Sequence, residues 1–131
     1  MSYRIVFGNV YNVLVVGYFM SDDCVFCKIV KGEIPAEVFL ANDEFIVILD
    51  ANPKVEGHML VIPKEHYDNF MDLPSGMYEK FLSTAKDAIE KLGVKDFNLI
   101  VNNGKDAGQV VGHLHLHILP RKDGDGFEIG A

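Results

Sequence analysis

The sequence predicts an α+β fold, an antiparallel sheet of about five strands with one long and one short helix. Three observations predict it. Short β-like runs recur between turn residues, and one segment alone keeps helical spacing over several turns. No regular crossover helix separates successive strand-like runs, as a parallel sheet would require.

In chain order, a short helix is expected over Val25 to Lys31. Val38 to Leu40 and Phe45 to Leu49 form two strands split by the turn residues Asn42 and Asp43. Met59 to Ile62 is a third strand, bounded by Gly57 and Pro63. Ser75 caps the long helix, in which Phe81, Ala85, Ala88, Ile89 and Leu92 recur at helical spacing, and Gly93 stops it. Phe97 to Val101 is a fourth strand, and Leu114 to Leu119, closed by Pro120, is a fifth. Residues 1–19 differ from the rest, being aliphatic and aromatic with Arg4 as their single charge. Three readings fit this N-terminal extension: an added edge strand, a weak targeting segment, or a stretch upstream of a true start at Met20. The domain proper is then 20–131.

Composition narrows the functional classes. The 131 residues include 12 lysines and arginines against 19 acids, a formal net charge of −7. A sequence-independent nucleic-acid binder needs a cationic face to displace phosphate counterions, so that class is excluded. A small phosphate-bearing ligand remains compatible, because backbone N–H groups make a pocket locally positive. Two cysteines, Cys24 and Cys27, make no disulfide framework. The apolar run from Val13 to Met20 is too short to span a bilayer, and no small-x-small cleavage site follows it. A cytoplasmic protein that does not engage membranes is expected.

The most informative segment runs from Gly108 to Arg121, where His113, His115 and His117 alternate with Leu114, Leu116 and Ile118. On a strand, side chains alternate between faces, so the aliphatic residues enter the core and the three imidazoles share the other face. Neighbouring imidazoles then have Cα atoms about 6.6–7 Å apart, close enough for two to address one phosphate or one metal ion. A polar sheet face is more simply made from threonine, lysine or glutamate, none of which titrates near neutrality. Metal binding and imidazole chemistry both remain open.

His113 to Leu119 resembles the signature of the histidine-triad (HIT) family, three histidines separated by single hydrophobic residues. Gly108-Gln109 before the triad, Asn102, Gly57-His58 leading into Leu60 to His66, Leu49-Asp50, and Cys24 to Phe39 match the family as well. The resemblance covers roughly Cys24 to Phe127 and implies a HIT-like fold for 20–131. It implies a hydrolase or nucleotidyl transferase that cleaves at the α-phosphate of nucleotide conjugates, such as nucleoside phosphoramidates or dinucleoside polyphosphates. His115 would attack phosphorus and carry a transient nucleotidyl bond, its other nitrogen donating to a fixed acceptor such as a main-chain carbonyl. His117 would donate to a phosphate oxygen or the leaving atom, and His58 would support proton traffic. Gln109 and Asn102 would donate to phosphate oxygens or the leaving group, together with main-chain N–H groups near Gly108. Asp50 would accept from the ribose hydroxyls, and Phe26 and Ile34 would wall the base.

Cys24-x-x-Cys27 alone is compatible with a redox pair, inert core thiols or a metal site. The resemblance implies structural zinc held by Cys24, Cys27, His66 and His113, and no organic cofactor. It also implies a homodimer. Val110 stands where many relatives carry serine or threonine, so one hydroxyl contact is missing, and Gly112 replaces a commonly bulkier residue. Leu119 to Phe127 is similar to diadenosine-polyphosphate-type and general microbial members. Two non-enzymatic readings stand beside the enzyme: a nucleotide-binding partner module, and a protein whose histidines serve only metal ions.

Overall fold

The computed structural model describes residues 23–129 together with the backbone of two short strands before them, β1 (Val6–Gly8) and β2 (Val13–Val15). These two pair with each other antiparallel as a separate ribbon. The rest of the 1–19 extension, and the choice among its three readings, lies outside the described residues.

From Cys24 onward the elements are α1 (Val25–Val30), β3 (Val38–Ala41), β4 (Phe45–Leu49), β5 (Met59–Pro63), α2 (Tyr78–Leu92), β6 (Phe97–Ile100) and β7 (Leu116–Pro120). Five of these strands form one antiparallel sheet in the order β3-β4-β5-β7-β6. Among the described residues no helix is long and apolar enough to cross a membrane.

Period-two side-chain alternation sorts the sheet into two faces. Phe45, Val47, Met59, Val61, Leu116 and Ile118 point to one side and meet Phe81, Ala85, Ala88 and Ile89 of α2. Ile46, Ile48, Leu60 and Ile62 point to the other side and meet Phe26 and the two cysteines of the α1 region. Both faces are therefore covered, and strands β4 and β5 read as continuous apolar runs for that reason. His117 pairs across the ladder with Leu60 on one side and Ile100 on the other, so it belongs to the α1 face.

Two element starts differ from the sequence reading. Ser75 opens a 3-10 turn, and α2 starts at Tyr78 with no side-chain cap. Its end is as expected: Gly93 takes a left-handed φ of 78°, and its N–H reaches the Ile89 carbonyl at 2.9 Å. The last strand begins at Leu116 rather than Leu114, so His113 and His115 precede the ladder. The Leu114 N–H donates to the Tyr67 carbonyl at 2.7 Å, which ties the approach to β7 into a separate loop. At the far end, Arg121 grips Asp125, Asn98 Oδ1 and the Phe127 carbonyl, fixing the tail.

Candidate active site

Two histidines of the triad, and His58 beside it, are buried rather than on a solvated face. His113 is 0% exposed, His115 7% and His58 2%. Burial under α1 makes each ring nitrogen answerable to a specific partner, and those partners settle the tautomers.

Nδ1 of His115 lies 2.8 Å from the His113 carbonyl. A carbonyl only accepts, so Nδ1 carries the proton and Nε2 is left as a bare lone pair. Burial pushes the ring below its ordinary pKa, against the pull of that carbonyl. The Phe26 ring meets it edge-on with centroids 5.1 Å apart.

The neighbouring pair has the opposite tautomer. The main-chain N–H of Lys54 donates to Nδ1 of His58 at 3.0 Å, which leaves the His58 proton on Nε2. That proton faces Nδ1 of His117 at 2.9 Å, so His117 accepts there and carries its own proton on Nε2. Burial is the main reason that His117 is lowered to about 4, followed by repulsion from His115 and His58. His58 is lowered as well, first by burial, with Asp50 opposing. His115 thus offers a lone pair and His117 an N–H, on rings whose centroids are 4.9 Å apart.

Both rings open into a cleft of about 880 Å³, the size of a small-molecule site. Phe26, Ile34, Asp50 and Asn102 line it with them. Asp50 is held by the Asn52 N–H on Oδ1 at 2.9 Å, with Oδ2 3.5 Å from His58 Nε2. His58 sits behind His117 and does not line the cleft.

Gln109 differs from expectation. Its Nε2 donates to the carbonyls of Asp68 and Val111 at 2.6 and 3.0 Å, and its Oε1 accepts from Gly104 N–H at 2.8 Å. The amide braces the loop and does not line the cleft. The Gly108 and Gln109 N–H groups are likewise engaged, by the Lys105 and Gly104 carbonyls. Among the described residues, the N–H groups of Val110, Val111 and Gly112 have no protein acceptor, so the open donors lie just after Gly108. Lys54 also lines the cleft, a residue the sequence reading passed over.

A second cluster adjoins the first through His113. Cys24 caps α1, its sulfur accepting the Cys27 N–H at 3.4 Å. Nδ1 of His113 lies 3.2 Å from Cys24 Sγ and 3.6 Å from Cys27 Sγ. Nδ1 of His66 lies 3.3 Å from Cys27 Sγ and 3.2 Å from Nδ1 of His113. Behind each ring stands an acceptor: the Pro63 carbonyl 2.9 Å from His113 Nε2, and Asp68 Oδ1 2.9 Å from His66 Nε2. Both Nε2 atoms are donors, so two bare Nδ1 lone pairs face each other among sulfurs. Such an arrangement repels itself unless positive charge lies between. Tetrahedral zinc with bonds of ~2.0–2.3 Å has ligand–ligand edges of roughly 3.3–3.8 Å, close to these spacings. The acceptors behind the rings are the outer shell that metal-binding histidines usually have. Cys24 is held far below its ordinary thiol range, first by the hydrogen bond with Cys27, and His66 is raised, first by its hydrogen bond with Cys24. Both directions mark negative sulfur seeking a positive neighbour. These four residues fit zinc.

The family model for the HIT domain matches residues 31–124. An uncharacterised HIT-like protein of Methanocaldococcus jannaschii is 45% identical over 106 residues, 79% of this chain and 82% of its own length. An adenylylsulfatase of Arabidopsis thaliana is 43% identical over 110 residues, 81% of this chain and 56% of its own. An adenosine 5'-monophosphoramidase of Saccharomyces cerevisiae is 37% identical over 100 residues, 76% of this chain and 63% of its own. Among solved structures, a zinc-bound histidine triad family protein from Mycobacterium smegmatis superposes with a TM-score of 0.73 at 38% identity, covering 81% of this chain and 80% of that one.

Proposed function

The chain belongs to the HIT-domain family, and from that premise we propose that it is a nucleotide hydrolase or nucleotidyl transferase working through a nucleotidyl-histidine intermediate. The observation that carries this reading is the pair of opposed tautomers, a bare Nε2 on His115 beside an Nε2–H on His117.

The Nε2 lone pair of His115 attacks the α-phosphorus, and the bond to the leaving group breaks with its electron pair going to that group. Water then attacks phosphorus, the phosphorus–nitrogen electrons return to Nε2, and the proton from water goes to solvent. The product is a nucleoside monophosphate. His117 Nε2–H and the open N–H groups of Val110 to Gly112 donate to the phosphoryl oxygens as charge builds there. His58 holds His117 in the donating tautomer. Asp50 accepts from the ribose, Asn102 donates to phosphate or the leaving group, and Phe26 and Ile34 flank the base. Gln109 acts by shaping the loop that presents the N–H groups. Relatives named as an adenylylsulfatase and a monophosphoramidase support a nucleotide conjugate as substrate.

When bound at Cys24, Cys27, His66 and His113, zinc supplies a structural cross-link between the start of α1 and the approach to β7. Two exposed apolar residues of edge strand β6, Phe97 at 40% and Leu99 at 43%, support edge-to-edge pairing of two copies, to be read by sedimentation.

The test is adduct trapping. Wild type quenched during turnover should carry an acid-labile, denaturation-resistant nucleotidyl group on His115. The His115→Asn variant should still bind nucleoside monophosphate but form no adduct and turn over at least ~10³-fold more slowly. Full turnover in the variant, or wild-type turnover with no adduct, overturns the proposal.

A further inference from the structure

The identity of the leaving group is open between two chemistries. An amine must depart with a proton, whereas sulfate or the end of a phosphate chain departs as a stable anion without one. We infer that this site is built for anionic oxo-acid leaving groups and that Lys54 is the residue selecting them. The inference deepens the nucleotidyl-histidine reading and rests on it.

Three observations carry it. The first concerns the supply of a proton. His117 accepts at Nδ1 from a His58 whose own Nδ1 is occupied by the Lys54 N–H. Adding a proton to His117 would set two N–H groups against each other across 2.9 Å; His58, whose Nδ1 already accepts from Lys54, cannot turn acceptor at Nε2, and the other acceptor beside that N–H, Asp50 Oδ2, is farther off at 3.5 Å. Giving up its proton would instead leave His117 as an anion. His117 is therefore a fixed hydrogen-bond donor and a poor source of a whole proton. Its low pKa, about 4, agrees with that geometry.

The second is the neighbouring loop. Val110 is 93% exposed at the cleft and has no hydroxyl through which a proton could pass to a leaving amine.

The third is charge. Among the described residues Lys54 is the one lysine or arginine lining the cleft, against the carboxylates Glu37 and Asp50. It is exposed, and among the described residues its ammonium has no ion-pair partner. Its charge acts on both His58 and His117, disfavouring the protonated form of each, so it stands at the His58–His117 end of the cleft that it lines. A leaving group broken from phosphorus there, carrying away the bonding electrons as an anion, finds its charge matched by Lys54.

The experiment measures kcat/KM at pH 7 for adenosine 5'-phosphosulfate, diadenosine tetraphosphate and adenosine phosphoramidate. It compares wild type, Lys54→Met and Lys54→Arg. The backbone N–H to His58 survives in both variants, and the side chain is exposed, so folding is not at issue. Lys54→Met should reduce turnover of the two anion-releasing substrates at least tenfold more than that of the phosphoramidate. Lys54→Arg should restore most of that difference, and added salt should weaken wild-type preference for the anion-releasing pair. The sulfate and tetraphosphate arms show which anion the site prefers. An unchanged ratio in Lys54→Met, with wild type active, overturns this inference alone. A wild type that cleaves none of the three overturns it together with the reading beneath it.

Discussion

Two histidine pairs meet the chain on either side of His115, at His113 and at His117, and they are built for different work. In the pair His66 and His113, each outer nitrogen donates to an oxygen, which turns both inner nitrogens into bare lone pairs facing two sulfurs. In the pair His58 and His117, a main-chain N–H enters one end, and each ring passes a donor on to the next. The first pair gathers lone pairs around a point and calls for a cation. The second delivers an N–H to the cleft and calls for an anion. The residue type is the same in both. What differs is the single group behind each ring.

That contrast can be broken from either side. The largest expected effect is on stability at the sulfur-bearing pair. Chelating the zinc-loaded protein, or making His66→Ala, should lower Tm by roughly 10 °C or more in calorimetry. The rate per folded molecule should fall far less. Equal loss of both at constant folding would mean that the two pairs are not separate in function. Replacing His58 acts the other way. His58→Ala should reduce kcat roughly ten- to hundredfold by freeing the His117 tautomer, with little change in metal content by elemental analysis.

Acid should separate them next. His58 and His117 have folded-state pKa values below the unfolded value near 6.5, with His117 at about 4. Between those values the unfolded chain binds more protons, so stability rises with pH there. The contribution is complete above about 6.5 and is lost as pH falls toward 4. Urea unfolding of wild type and His117→Gln at pH 7 and pH 5 checks this, and the variant should lose less over that interval. The smallest effect is expected at Gln109→Ala, which removes the loop brace. KM should rise roughly threefold to tenfold with kcat changing less, since the donors after Gly108 lose their fixed positions.

How much of this was legible in the sequence follows from which atoms carry it. Side-chain patterns gave the strands of the sheet to within a residue or two, because Phe45 to Leu49 and Met59 to Ile62 are apolar between clear turns. Gly93 announced the end of α2 because only glycine takes its backbone conformation cheaply. The Ser75 expectation failed because a 3-10 turn intervenes before the helix proper. Within the site, the imidazoles and thiols were visible as residue types, and the main-chain acceptor for His115 was anticipated. The groups that decide the roles of the other rings were not visible. The Lys54 N–H and the Pro63 carbonyl are backbone atoms, and any residue other than proline would supply the first. Gln109 misled for a related reason: its amide matches a phosphate donor in kind, and only the loop's path shows that main-chain oxygens have claimed it.

His113 serves both regions, the cysteine cluster through its ring and the His115 imidazole through its carbonyl. Because these are different atoms, their fates are separable over descent. A lineage that exchanged this side chain would keep the oxygen that orients the His115 imidazole, provided the loop were stiffened by other packing. The orientation of that imidazole is in this sense heritable without the thiol cluster beside it.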